Sequence, residues 1–390
     1  MYRDLLNKTV VEIKPSGIRR FFDLANTKKG VLSLGVGEPD FATPWNVCES
    51  AIYSIKTKHT HYTANAGLLS LRTELSHYLR KRYDLRYSPN KEMIITVGGS
   101  EAIDIALRAI INPGDEVIIL EPAYVAYEPA VRLAGGVPVF IELKAENQFK
   151  LTKEELLEKI TDKTKAIIIN FPSNPTGGIM NKEDYEPLIP IIKEHRLIVI
   201  SDEIYAELNY SSKHCSPAVF PEIRDLVILI SGFSKAFAMT GWRLGYLCAN
   251  SIFVEQMLKI HQYIIMSAPT AAQYGAIEGL RNGQKYVDEM VVQYKQRRNL
   301  LVSRLNEIGL PTHTPEGAFY VFPCIKHTGL TSLEFCERLL EEQNVACVPG
   351  SAFGNAGEGY IRISYAYSID EIKMALAKIE IFMEQFKKAN

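Results

Sequence analysis

The stretch Ser231-Gly232-Phe233-Ser234-Lys235-Ala236-Phe237-Ala238-Met239-Thr240-Gly241-Trp242-Arg243-Leu244-Gly245 opens directly after the apolar run Leu226 to Ile230. A buried strand there delivers the Lys235 amine to a fixed spot, small residues around it leave room for a ring, and Arg243 follows eight positions on. A lysine that forms a Schiff base must lose its proton easily, and a neighbouring cation together with desolvation favours that. Lysines after strands are also common in surface loops. This segment taken alone gives that solvated reading equal weight.

A second stretch tips the balance. Leu197-Ile198-Val199-Ile200 is a continuous branched apolar run, the pattern of a fully buried strand, and Ser201-Asp202-Glu203-Ile204-Tyr205 follows at once. Acids at a strand's carboxyl end stand where open α/β sheets bind ligands. Pyridoxal phosphate needs a carboxylate against its pyridine nitrogen, which keeps that nitrogen protonated so that the ring draws electrons from a bound substrate. Asp202 is the candidate, and Tyr205 is placed to bring its hydroxyl to the ring's phenolic oxygen. Asp after a strand is also a frequent helix N-cap, and Tyr205 has ordinary packing as its alternative. In a third stretch, Ala166 to Asn170 repeats the buried-strand pattern before Phe171-Pro172-Ser173-Asn174-Pro175-Thr176-Gly177-Gly178, a rigid turn with two prolines and two glycines. Its Asn174 amide suits the ring oxygen or a substrate carboxylate, although asparagine also simply suits an Asn-Pro turn.

Further segments complete an ordered set: Gly37-Glu38-Pro39-Asp40-Phe41, Tyr62-Thr63-Ala64-Asn65-Ala66-Gly67 with Leu71-Arg72, and Tyr360-Ile361-Arg362-Ile363-Ser364-Tyr365. With these, the chain resembles, nearly end to end, the class I/II aminotransferases of the pyridoxal-phosphate fold type I superfamily, in the branch of aspartate and aromatic aminotransferases. The resemblance implies an α/β fold with a mostly parallel sheet between helices in a large domain (46–295). It implies a small α+β domain made of the N-terminal arm (1–45) and the C-terminal part (296–390). It gives Lys235 the roles of cofactor lysine and general base, with Asp202 and Tyr205 tuning the ring.

The phosphate site is assembled from several places. Thr96-Val97-Gly98-Gly99-Ser100-Glu101-Ala102 ends a strand and starts a helix, so free N–H groups and the helix dipole meet an anion there. By resemblance, Gly99, Ser100 and Glu101 contribute through the backbone, Ser234 through its hydroxyl and Arg243 through its guanidinium. Ser231 is the weaker serine candidate. Tyr124 is implied to stack on the ring, and Tyr62 to reach the cofactor phosphate of a neighbouring subunit, hence a homodimer with shared active sites. Arg362 lies in an apolar strand-like run, where a buried guanidinium needs an anion. The alternatives are a structural ion pair with a glutamate or, as the resemblance implies, a substrate α-carboxylate assisted by Asn174 and the Gly37 backbone.

Composition bounds the rest. In 390 residues, 44 basic against 45 acidic side chains give a net charge of −1, which offers nothing to nucleic acid or an anionic membrane. No apolar run approaches the roughly 20 residues of a membrane span. Six cysteines without a Cys-x-x-Cys pair, and no signal-like start, point to a cytoplasmic protein with reduced thiols. No metal site is expected. Short branched runs from Met93, Val117, Val137, Ala166, Leu197 and Leu226, most of them separated by helix-length segments, fit a largely parallel sheet, with Arg243 to Cys248 as a further strand.

Substrate choice is thinner. Some aspartate-preferring relatives have a lysine where this chain has Ser100, which argues for a broader acceptor. Ser16 to Phe21, Val254 to Gln262 and Glu358-Gly359-Tyr360 resemble the Bacillus-type enzymes acting on N-acetyl-L,L-diaminopimelate in lysine synthesis, with Arg19 or Arg20 as candidates to approach a side-chain carboxylate, although a solvated arginine is the commoner fate. A carbon–sulfur β-lyase would use the same Lys235, Asp202 and Arg362. A non-catalytic binding protein on this fold should have lost Lys235.

Overall fold

The computed structural model describes residues 2–15, 17, 28, 30–211 and 213–387. Arg19 and Arg20, raised above for the substrate side chain, lie outside them. After β1 (Leu32–Ser33), the chain builds β2 (Met93–Thr96), β3 (Glu116–Glu121), β4 (Val137–Glu142), β5 (Thr164–Asn170), β6 (Ile198–Asp202), β7 (Val227–Gly232) and β8 (Gly245–Cys248). The last seven form one sheet in the order β2-β8-β7-β6-β5-β3-β4.

Six of its seven strands run in one direction and β8 alone is reversed, antiparallel to both β2 and β7. The apolar runs are continuous because both faces of the sheet are covered. Successive side chains alternate between two cores: Ile118 and Leu120 face one while Val117 and Ile119 face the other, and Val227 and Leu229 part from Ile228 and Ile230 in the same way. The helices Leu69–Tyr83 and Thr270–Asn282 cover the first face, and Gly98–Ile110 and Ser251–Ile264 the second.

A third core gathers on the long helix Gln284–Ile308, the helix Ser332–Gln343 and the C-terminal helix Ile369–Lys387. It includes β9 (Tyr320–Val321), β10 (Val345–Ala346) and β12 (Ile361–Ser364), while Val348 of β11 (Val348–Pro349) belongs to the first core. β12 lies between β11 and β9, antiparallel to each, and β1 pairs in parallel with β10. The segment near the N-terminus is thereby tied to the C-terminal part of the chain.

This topology places the chemistry. Parallel strands end at one edge of the sheet, so the residues after β2, β3, β5, β6 and β7 collect there. Because β8 is antiparallel, its start lies at that same edge, which brings Arg243 to the loop after β2. Gly245 and Gly98 touch at this crossing: a Cβ on Gly245 would stand 2.5 Å from the Gly98 carbonyl carbon and 2.7 Å from Gly99 N. Neither contact can move without shifting the start of the helix Gly98–Ile110. Gly245→Ala is therefore expected to cost on the order of 1–3 kcal/mol of stability, read as a lower melting temperature in calorimetry. An unchanged melting temperature would show that the crossing tolerates a methyl group.

Candidate active site

A cavity of about 880 Å³ opens at that edge, lined by Gly37, Gly99, Ser100, Tyr124, Asn174, Asp202, Tyr205, Ser234, Lys235, Arg243 and Arg362. Three residues singled out in the sequence stand outside it. Glu101 turns its carboxylate away, accepting from Val97 N at 2.5 Å and meeting His261 Nδ1 at 2.6 Å, which leaves only its backbone for a ligand. Tyr62 is 80 % exposed and does not line the cavity of its own chain. Ser231, the weaker serine, donates to the Glu203 carbonyl instead.

Lys235 follows β7 on a short turn and is held among buried neighbours, with Nζ donating to the Gly37 carbonyl at 2.6 Å. Burial, joined by the Arg362 and Arg243 charges, outweighs the acids Glu38 and Asp202 and brings its amine down to about 8. Asp202 is the last residue of β6 and is buried. Its Oδ2 accepts from Tyr127 Oη at 2.7 Å and its Oδ1 from Ile204 N at 3.1 Å, so it also serves the turn that follows, as a capping aspartate does. Burial lifts the carboxyl to about 6 against the pull of these two hydrogen bonds.

Arg362 on β12 is 2 % exposed. Its Nη1 donates to Asn174 Oδ1 at 2.8 Å, its Nη2 to the Gly35 carbonyl at 2.5 Å, and its Nε has no partner. The guanidinium lies 4.4 Å from the centre of the Tyr320 ring and 4.9 Å from that of Phe353. Among the described residues no carboxylate pairs with it, so the structural ion pair with a glutamate is set aside. Arg243, at positive φ, donates from Nη1 to the Thr240 carbonyl. Gly98, itself at φ +72°, leaves the space that its Nη2 approaches: a Cβ there would sit 2.6 Å away.

These features fit pyridoxal phosphate. The start of the helix Gly98–Ile110 and Arg243 offer N–H donors and positive charge to a phosphate, while Asp202 is a buried carboxylate with neutral hydrogen-bond partners and room for a cationic ring nitrogen. Tyr205 is buried and lines the same cavity. Two residues that the sequence did not single out complete the site. Tyr127, three positions after Tyr124 on the same turn, fixes Asp202; the regular spacing was its only signal. Tyr320 contacts Tyr205 Oη at 2.8 Å from a strand 115 residues away, and nothing local announces that pairing.

A sequence model of aminotransferase class I and II matches residues 29–379. The chain is 55 % identical to the YugH protein of Bacillus subtilis (strain 168), over 97 % of this chain and 98 % of that one. It is 47 % identical to the aspartate aminotransferase of Pyrococcus abyssi, over 96 % and 97 %. Among solved structures, the aromatic aminotransferase of Pyrococcus horikoshii OT3 superposes with a TM-score of 0.90 at 44 % identity, covering 94 % of this chain and 99 % of that one. The chain belongs to the class I and II aminotransferases, enzymes that use pyridoxal phosphate.

Proposed function

We propose that this aminotransferase passes the amino group of an L-amino acid, with aspartate, aromatic amino acids and N-acetyl-L,L-diaminopimelate as the candidate donors, to 2-oxoglutarate in a ping-pong cycle. The observation that carries this reading is the buried Arg362 guanidinium, left without a carboxylate in the same cavity as a lysine of lowered basicity. The cofactor, when bound, supplies an aldehyde that captures amines and a ring that withdraws electrons from the substrate Cα. Arg362 grips the α-carboxylate through its planar fork, with Asn174 and the Gly37 backbone beside it. Lys235 Nζ takes the proton from the substrate Cα and returns it as the amino group moves. Asp202, fixed by Tyr127, holds the ring nitrogen protonated, and Tyr205 donates to the ring oxygen. Gly99, Ser100, Glu101 N–H, Ser234 and Arg243 receive the phosphate, and Tyr124 packs on the ring.

Ser100 brings no charge to the donor's side chain, which supports a broader acceptor over a strict aspartate enzyme. The carbon–sulfur lyase reading needs the same residues and has no observation of its own in its favour. Product analysis separates the two, because a lyase releases pyruvate and ammonia from cystathionine. We assign residues 46–295 to the cofactor-binding domain and residues 1–45 with 296–390 to a small domain, supported by the β1–β10 pairing. Closure of that domain over the substrate would exclude water. A cytoplasmic site suits six unpaired cysteines.

Lys235 gives the first test. An amine near 8 captures the cofactor only in its neutral form, so the rate of reconstitution of the cofactor-free protein should rise with pH through about 8 and then level off. Lys235→Ala should lose both covalent capture and turnover, and retention of near-normal activity would overturn the assignment. Arg362→Leu should lose at least about a hundredfold in kcat/KM for every α-amino acid, from charge-assisted bonds of roughly 1.5–3 kcal/mol each, yet keep the colour of bound cofactor. Arg243→Leu should do the reverse. If Arg362→Leu came out colourless while binding amino acids normally after reconstitution, the carboxylate role would be wrong.

Assembly gives a further test. Tyr62 is exposed, as are Tyr263, Ile264 and Met266, and Asn65 Nδ2 donates to the Met266 carbonyl at 2.8 Å, tying the two segments together. We propose that this surface meets a second copy, with Tyr62 serving the partner's phosphate site. Sedimentation at assay concentration should then show at least a dimer; a fully active monomer would contradict it.

A further inference from the structure

Tyr320 belongs to the run Gly317-Ala318-Phe319-Tyr320-Val321-Phe322, which none of the roles above uses. It is 1 % exposed on β9 and nevertheless lines the cavity. Three contacts meet on this one side chain. Its hydroxyl is 2.8 Å from Tyr205 Oη, and its ring lies under Arg362 with the guanidinium carbon 4.4 Å from the centroid. The same hydroxyl presses on Gly37, where a Cβ would stand only 2.5 Å away. The register explains the reach: Tyr320 is opposite Ser364 on β12, and Arg362 is the diagonal neighbour on the same face.

The hydroxyl contact has a direction that chemistry fixes. A phenol carries one proton. If Tyr205 gives its proton to the cofactor's ring oxygen, the bond between the two tyrosines must run from Tyr320 to Tyr205. A hydroxyl that accepts a hydrogen bond becomes a stronger donor, so Tyr320 would strengthen what Tyr205 offers the ring. The ring contact acts on the other half of the site, holding the Arg362 fork flat for a carboxylate.

We propose that Tyr320 is a positioning residue that links the cofactor side of the site, through Tyr205, to the substrate-carboxylate side, through Arg362. This rests on the roles proposed above for Tyr205 and Arg362. Each half has its own variant and its own readout on the holoenzyme.

Tyr320→Phe removes the hydroxyl and keeps the ring. It should raise the pH midpoint of the bound cofactor's absorption change by at least about 0.5 unit, because a weaker donor stabilises the deprotonated ring oxygen less. It should leave the dissociation constant for an unreactive carboxylate, 3-phenylpropionate, within about twofold of the parent. Tyr320→Leu removes the ring and should weaken that binding at least about fivefold, with Tyr320→Met as the replacement should the leucine variant not fold. A midpoint unmoved in Tyr320→Phe, while Tyr205→Phe shifts it, overturns the hydroxyl link alone. If Tyr205→Phe leaves it unmoved as well, the reading of Tyr205 falls with it. Equal weakening of carboxylate binding in the Phe and aliphatic variants overturns the ring's part.

Discussion

A guanidinium taken out of water costs several kcal/mol unless an anion and good hydrogen bonds offset the loss. Arg362 is buried on β12 with only carbonyl-type acceptors, from Asn174 and Gly35, and its Nε is unpartnered. The fold surrounds this cation with aromatic faces and leaves open the side that looks into the cavity. Asp202 is in the opposite condition, an anion among neutral donors whose carboxyl is lifted to about 6. The chain thus sets separated groups of opposite charge at the end of its central sheet. A ligand with a ring cation, a phosphate and a carboxylate would relieve all of them at once.

Holding such charges apart requires rigid supports, and these come from sequence-distant elements. Asp202 is set by Tyr127 from the start of the helix Tyr127–Leu133, and Asn174 is set by Asn170 Oδ1, which accepts from its backbone N at 3.0 Å. The Gly37–Phe41 segment is anchored on the other side by the ion pair of Asp40 with Arg297 at 2.7 Å, on the long helix Gln284–Ile308. Lys235 donates to Gly37 itself. The amine, the carbonyl it rests on and the substrate arginine are therefore positioned by three different layers of the molecule, and Tyr320 touches two of the three.

Much of this was legible before any coordinates. Continuous branched runs at Val117, Ala166, Leu197 and Leu226 read as strands covered on both faces, and the acid, amide and lysine after three of them share one edge when those strands are parallel. The strand ends agree with the observed ones to within a residue or two. The antiparallel direction of β8 was not legible, since an apolar run carries no sign of its direction. Nor were the partners of the Glu101 carboxylate, which accepts from Val97 N–H and meets His261 while its backbone stays at the helix start.

By itself the sequence determined the strands, the glycine-bearing turn from Thr96 into the helix that follows and the set of chemical groups, because strand burial and turn chemistry are local properties with a period that can be read along the chain. Tertiary structure alone decided which of those groups meet. Whether Arg362 would find a glutamate or remain unpaired depended on what β9, β12 and the Asn174 turn bring together from 188 residues apart. The Tyr205–Tyr320 contact depended on the third core closing against the end of β6. Burial energies and hydrogen-bond partners of this kind are set by packing in three dimensions, and no window of sequence contains both halves of such a contact.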